Sequence, residues 1–269
     1  MARTQLIAFD IDGTLIPPGA HHESLPDAAI TRVVEDLVAA GVVVVLASGR
    51  MYPGTERVAR HLHLDAPLIC QQGASVHRAD GSVSHSFVID PDIANEMAAY
   101  SIEHGWPFAW FDSVRYLASA RTEQTDFFGL VSGVAPEYRP DPHLAGVVPT
   151  GIDIVSTREA ANGVHQEMAA RYGDRVHLLD FPSVTAAHAP LASKGNGLML
   201  VAEDLGIDRN AVIAIGDSVN DESMLRWAGR GVAMPHSDRY ARDAADEILS
   251  GDGIEGLVPF LREILRSID

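Results

Sequence analysis

The chain has 269 residues, 46% of them hydrophobic, a single cysteine and a formal net charge of −17. That is one large domain or two modest ones with enough apolar material for a core; the acidic balance argues against nucleic acid and anionic membrane as partners, and Cys70 alone rules out an intramolecular disulfide or a cysteine-based zinc cluster. No apolar stretch approaches the roughly 20 residues of a membrane span, and Met1 to Gln5 lack a long apolar signal region, so a cytoplasmic protein is expected.

The first predicted element is the run Leu6-Ile7-Ala8-Phe9, which ends in Asp10-Ile11-Asp12-Gly13-Thr14. A short apolar run bounded by turn residues is a buried strand of the parallel type. Extended backbone through Asp12 points both carboxylates to one side. Two like charges so close need a cation between them, and a hard, oxygen-seeking Mg²⁺ is the simplest candidate. A calcium loop is the rival, but it wants Glu at about its twelfth position, where this chain has His21. The loop carrying His21 and His22 is expected to be solvated, without a carboxylate at ligand spacing. A helix is predicted from Ser24 to Ala40, capped by Ser24, with Ile30, Val33, Val34 and Leu37 on its apolar face.

Val42 to Leu46 is a second buried strand, ending in Ala47-Ser48-Gly49-Arg50. A helix follows Pro53, and Pro67 to Cys70 is a third strand, with Cys70 a buried structural thiol. The alternation then breaks. Ser75 to Val88 reads as a hairpin around Asp80-Gly81. Residues 90–187 mix helices (Asp92–His104, Arg158–Tyr172) with short strands at Phe108–Phe111, Arg115–Ala118, Ile152–Ser156 and Arg175–Leu179. The aromatics Trp106, Trp110, Phe127 and Phe128 are expected in the core of this small α+β unit. Alternation resumes with a helix capped by Ser193 and running to Leu205. It continues with a strand at Ala211–Ile215 that ends in Gly216-Asp217-Ser218-Val219-Asn220-Asp221. Short strands at Gly231–Met234 and Glu247–Leu249 and a helix from Ile254 to Ile268 close the chain. The expected fold is α/β: a doubly wound parallel sheet from residues 1–84 and 190–269, split by an inserted α+β cap domain at 85–189.

Asp10 and Asp12, Ser48, Lys194, and Asp217, Asn220 and Asp221 all fall where such a sheet places its active edge. Their types suit one reaction. A phosphate monoester is a dianion, so attack by a carboxylate needs cations. Mg²⁺ between Asp10, the Asp12 segment and Asp217 neutralises both partners, and Lys194 adds a fixed positive charge. Ser48 and the Gly49 N–H offer donors to phosphoryl oxygens, and Asn220 offers a neutral amide. Asp221 holds Lys194 or a metal-bound water.

These residues resemble the haloacid dehalogenase (HAD) superfamily, and most closely its Cof-type hydrolases with the larger IIB cap. Asp10-Ile11-Asp12-Gly13-Thr14-Leu15 is similar to the first motif of that family, Ser48-Gly49-Arg50 to the second and Ser193-Lys194-Gly195 to the third. Gly216 to Asp221, continued by Met224-Leu225, is similar to the fourth, and Asp252-Gly253-Ile254 to its late Asp-Gly-Val. The resemblance implies a Rossmann-like HAD core and an aspartyl-phosphate on Asp10. It implies that Asp12 protonates the leaving alkoxide and then activates water, holding a proton near neutrality through burial or nearby negative charge. Mg²⁺ would lie on the Asp10 carboxylate, the Asp12 carbonyl and Asp217, with the phosphate on the Ile11 N–H, Ser48, Gly49, Lys194 and Asn220. Two stretches depart from the pattern. Gln72-Gly73-Ala74 stands where the family often has Asn-Gly-Ala, and Pro235-His236-Ser237 where it often has Gly-Asn-Ala. Both adjoin the substrate side, and His236 is expected to be a surface loop residue.

The implied activity is hydrolysis of a small-molecule phosphate ester, a sugar phosphate above all. A sugar phosphomutase of the same fold and a non-catalytic phospho-ligand-binding protein are the alternatives. A phospho-receiver module fails, since the third strand ends in Cys70-Gln71-Gln72 without an aspartate. The sequence leaves the oligomeric state open and does not say which cap side chains reach the leaving group; His104, Trp110, Asp112 and Arg115 are polar or aromatic candidates.

Overall fold

The computed structural model describes residues 3–268; Met1, Ala2 and Asp269 lie outside the described residues. The first half of the main unit comprises β1 (Leu6–Phe9), α1 (Ala28–Ala39), β2 (Val43–Ala47), α2 (Tyr52–His61), β3 (Leu68–Cys70), β4 (Ser75–His77) and β5 (Val83–Ser86). The inserted unit comprises α3 (Pro91–Glu103), β6 (Phe108–Phe111), β7 (Tyr116–Ala118), α4 (Glu123–Ser132), β8 (Glu137–Tyr138), β9 (Gly151–Val155), α5 (Arg158–Tyr172), β10 (His177–Phe181) and β11 (Val184–His188). The chain then returns through α6 (Lys194–Asp204), β12 (Val212–Gly216), α7 (Glu222–Trp227), β13 (Arg230–Ala233), α8 (Arg239–Ala244), β14 (Glu247–Ile248) and α9 (Leu257–Ile268).

The main sheet has the order β14-β13-β12-β1-β2-β3-β4-β5, parallel from β14 to β3, with β4 and β5 added antiparallel. β1 is central and buried on both faces, which explains its uninterrupted apolar run. Ile7 and Phe9 face a cluster with α1, α2 and α9, while Leu6 and Ala8 face one with α6, α7 and α8. Helices thus cover both sides. β1 lies between β2, which follows it through α1, and β12, which the chain reaches only after the inserted unit through α6; the crevice beyond the carboxyl ends of these strands is the switch point where such sheets place ligands. The second sheet, order β10-β11-β9-β6-β7-β8, is antiparallel except for its parallel edge pair β7 and β8.

Several boundaries differ from the sequence reading. α1 starts at Ala28 rather than after Ser24, because Asp27 is its cap and accepts from the Ala29 and Ile30 N–H groups at 2.8 and 2.9 Å. Its predicted face, Ile30, Val33, Val34 and Leu37, is buried, at about 1.5–3 kcal/mol for each side chain. In the inserted unit, α4, β8 and β11 add to the elements the sequence predicts. Trp110 lies in the cap core, whereas Phe127 is exposed. Cys70 is buried with its thiol pushed up to about 12 by desolvation, an inert structural group. His21 and His22 lie on a surface loop as expected, but they are not without a carboxylate neighbour: a Glu23 oxygen lies 3.9 Å from His21 Nδ1.

Candidate active site

Asp10 leaves the end of β1 and stays in register, donating its N–H to Ile215 O at 3.0 Å. Its carboxylate is 4% exposed. Gly13 then turns the chain at φ +98°, a conformation that favours glycine, and a Cβ there would run into the Asp217 carboxylate. The glycine therefore does two things: it turns the loop and lets the end of β12 approach the end of β1. From the N-terminus of α6, Lys194 donates through Nζ to Asp10 Oδ1 at 2.5 Å and to Asp221 Oδ1 at 2.6 Å. The other oxygen of Asp221 accepts from the N–H groups of Asp217 and Ser218 at 2.8 and 3.0 Å, which fixes the loop after β12.

Asp10, Asp217 and Asp221 bring ligand oxygens within 4.8 Å of one another, and Lys194 is the cation bound among them. The charge does not balance. Burial pushes the Asp10 carboxyl up to about 7, against the lowering pull of Lys194, with Asp221 and Asp12 adding to the rise. Burial, then Asp10 and Asp221, push Asp217 up to about 9. Burial alone would lower Lys194, but the two carboxylates more than offset this and hold it above its ordinary value. Asp217 Oδ1 is moreover buried without a partner. An all-oxygen site with surplus negative charge and an orphaned carboxylate oxygen fits a hard divalent cation.

The Asp12 side chain points elsewhere. It is forked by Arg50, Nε to Oδ2 at 2.8 Å and Nη2 to Oδ1 at 2.5 Å, with the guanidinium buried and the carboxylate half-exposed. Asp12 is thus not buried, and it faces the Arg50 cation as well as the nearby charge of Asp10. Ile11 is fully buried, and its carbonyl accepts from the Leu15 and Ile16 N–H groups. Ser48 is buried, and its Oγ accepts from the Arg50 N–H at 3.1 Å. Gly49 has the Gln72 amide against its Cα, leaving no room for a Cβ. Gln72 adopts a left-handed φ of 59° and accepts from Asn220 Nδ2 at 2.8 Å. The residue at the departure from the family pattern therefore holds one of the predicted phosphate donors. His236 is not the surface residue expected: its Nε2–H donates to Gly13 O at 2.8 Å, and the ring lies 3.8 Å from Asp217.

The profile of the haloacid dehalogenase-like hydrolases matches residues 7–261. The chain belongs to this family. Its core and inserted unit are arranged as in a solved HAD subclass IIB protein. A curated relative, "Phosphoglycolate phosphatase" of Methanopyrus kandleri, is 28% identical, with 99% of each chain covered. A haloacid dehalogenase-like hydrolase of Bacteroides thetaiotaomicron superposes with a TM-score of 0.82 at 21% identity, over 97% of this chain and 99% of that one. A structure described as a HAD subclass IIB sugar phosphatase gives 0.82 at 21% identity, over 99% and 100%. Among the described residues of this HAD hydrolase, no helix is long and apolar enough to cross a membrane.

The cap sheet covers the site with the face opposite its own core. In β9, Ile152 and Ile154 enter the cap core, so Asp153 between them points toward the main sheet. There it lines a small pocket with Gly49 and Gln72. The cap residues suggested by sequence do not reach it. His104 bonds its own helix, Trp110 Nε1 donates to Val147 O, and Arg115 pairs with Glu137 at 2.6 Å. The Asp112 side chain closes a turn, although its carbonyl accepts from Gln71 Nε2 at 2.5 Å and ties cap to core.

Desolvation alone pushes the Asp153 carboxyl from 3.8 up to about 7. A raised carboxyl stabilises the fold below the unfolded value, and that contribution is lost as pH rises through the folded value, here between about 3.8 and about 7. Asp153→Asn is therefore expected to raise the melting temperature more at pH 8 than at pH 5. The differential is on the order of a few kcal/mol, read by thermal unfolding of both proteins at the two pH values. Equal shifts at both would contradict the burial argument.

Proposed function

We propose that the chain is a Mg²⁺-dependent phosphatase of small phosphorylated metabolites, sugar phosphates above all, acting through an aspartyl-phosphate on Asp10. Residues 1–84 and 190–269 serve as the catalytic core and 85–189 as the cap. The observation that carries this reading is the Asp10 carboxylate at the carboxyl end of the central strand, shared with Asp221 through one buried ammonium, beside the orphaned oxygen of Asp217. The names of relatives, phosphoglycolate phosphatase among them, support hydrolysis of a small phosphate ester.

In this reading an Asp10 oxygen attacks phosphorus and the ester oxygen departs, taking the proton of Asp12. The Asp12 carboxylate then removes a proton from water. The water oxygen attacks phosphorus, the bond to Asp10 breaks, and inorganic phosphate leaves with Asp10 ionised and Asp12 protonated again. Lys194 steadies the negative charge on Asp10 and on the transferring group, and Ser48, the Gly49 and Ile11 N–H groups and Asn220 orient the phosphoryl oxygens. Mg²⁺, when bound by Asp10, the Asp12 carbonyl and Asp217, supplies charge neutralisation and alignment. Protonation of Asp12 turns one of its oxygens into a donor and removes the charge, so the Arg50 fork weakens as Asp12 takes up the proton.

The test is phosphate release from a panel of phosphorylated metabolites and one aryl phosphate, with Mg²⁺ and with EDTA. Release from sugar phosphates that EDTA abolishes is expected. No release from any compound with Mg²⁺, aryl phosphate included, would overturn the reading.

A further inference from the structure

The space between the cap sheet and the phosphate side of the site is narrow, about 30 Å³, room for a water or two. Gly49, Gln71 and Gln72 line it from the core, and Asp153, Tyr116 and His188 from the cap. Three polar groups of the cap converge there. The Asp153 carboxylate is 5% exposed, and no hydrogen bond or charge relieves its burial. The Tyr116 hydroxyl is buried without a partner, close enough to Asp153 to feel its charge. The His188 ring directs Nδ1–H at Thr150 O, 3.2 Å away. Burial holds that imidazole neutral, down at about 3, so its Nε2 is left as an acceptor. Strand register puts Asp153 opposite Ala186 and Gly151 opposite His188, on the face turned away from the cap core. The remaining lining is mainly apolar, and no lysine or arginine belongs to it.

Buried polar groups left unpaired are costly, and charges more so. The orphaned Tyr116 hydroxyl, the Asp153 carboxylate and His188 Nε2 border one small space on the cap side, next to Gly49, where the ester oxygen of a bound phosphate would point. Two of the three, Asp153 and His188 Nε2, are acceptors, and the third, a hydroxyl, serves either way. A leaving group that donates hydrogen bonds would satisfy all of them. A carboxylate or a second phosphate would meet the negative charge of Asp153 once pH exceeds about 7, in a pocket lined by no lysine or arginine; Arg50, nearby, is already taken up by Asp12.

We infer that Asp153, with Tyr116 and His188, is the specificity wall for the leaving group. It selects phosphate monoesters whose alcohol carries hydroxyl or ammonium donors and rejects those carrying a carboxylate. The inference rests on the phosphatase reading above and names the substrate class for that same site. The small volume adds a size limit: a leaving group beyond a few heavy atoms needs the cap to shift away from the core.

The experiment compares kcat/KM on pairs matched in size, 2-hydroxyethyl phosphate with phosphoglycolate and glycerol 3-phosphate with 3-phosphoglycerate, plus one aryl phosphate. The wild-type enzyme is expected to favour the hydroxyl member of each pair by at least about 100-fold, as a site built for donors discriminates. Asp153→Asn is expected to shrink that ratio by at least about tenfold, since the repulsion of the carboxylate ester goes with the charge. Tyr116→Phe, which keeps the ring, is expected to lower the hydroxyl-ester value by about three- to tenfold. Wild-type preference for the carboxylate members, use of neither member, or an unchanged ratio in Asp153→Asn would each overturn the inference. Failure of the phosphatase reading itself would look different: no release even from the aryl phosphate.

Discussion

Lys194→Met is expected to lower phosphate release by about 10³-fold and to destabilise the fold by about 3–5 kcal/mol, because it removes the ammonium buried beside Asp10, Asp217 and Asp221. Nζ is fully buried and within 2.6 Å of both Asp10 and Asp221. Methionine fills the same channel, so packing is kept while the charge is lost. Asp10, Asp217 and Asp221 are then left with uncompensated like charge. Steady-state kinetics and chemical denaturation check the two halves separately. A variant as stable as the wild type would mean that the carboxylates are relieved in some other way. A stable and active variant would remove Lys194 from the chemistry altogether.

The second large effect is expected for Asp12→Asn. Asp12 is half-exposed, but it holds the buried Arg50 guanidinium, whose Nη1 has no hydrogen-bond partner, so loss of the carboxylate charge is expected to cost about 1–3 kcal/mol of stability. Turnover is expected to fall by about 10²–10⁴-fold, because an amide neither protonates the leaving alkoxide nor deprotonates water. An aryl phosphate relaxes only the first of these needs, since its leaving group departs without a proton. With that substrate the first step proceeds, the second stalls, and the phosphoryl group accumulates on the protein. Burst kinetics by rapid quench distinguish this from a simple loss of binding.

The parts of this site that were legible in the sequence share a cause. Asp10, Ser48 and Asp217 each follow an apolar run that only a buried parallel strand explains, and Lys194 follows a capping serine whose Oγ accepts from Asn196 N at 3.1 Å. Strand-end chemistry is thus local, and local patterns are readable. The start of α1 went wrong for a similar reason: Ser24 and Asp27 both suit a cap, and Pro26 between them does not decide which is used. β11 was missed because Val-Thr-Ala-Ala-His has neither a clear alternation nor a β-branched run. Asp153 was missed for a deeper reason. Ile-Asp-Ile is the pattern of a strand with one face in a core and one in water, and it predicts only that Asp153 faces away from the cap core. That a second domain covers this face is a tertiary fact. Arg50 was read as part of a motif, yet its bidentate grip on Asp12 links positions 38 residues apart and has no local signature. Gln72 is the same case: a left-handed residue whose amide reaches Asn220 across the site.

Covalent transfer to Asp10 is the central claim, and the most direct test is the mass of the Asp12→Asn protein quenched in acid during turnover of an aryl phosphate with Mg²⁺. One added phosphoryl group on the peptide carrying Asp10, removed by hydroxylamine and absent when Asp10→Asn is combined with it, is the predicted result. Turnover with no covalent phosphate, or with the phosphate on another residue, would contradict it.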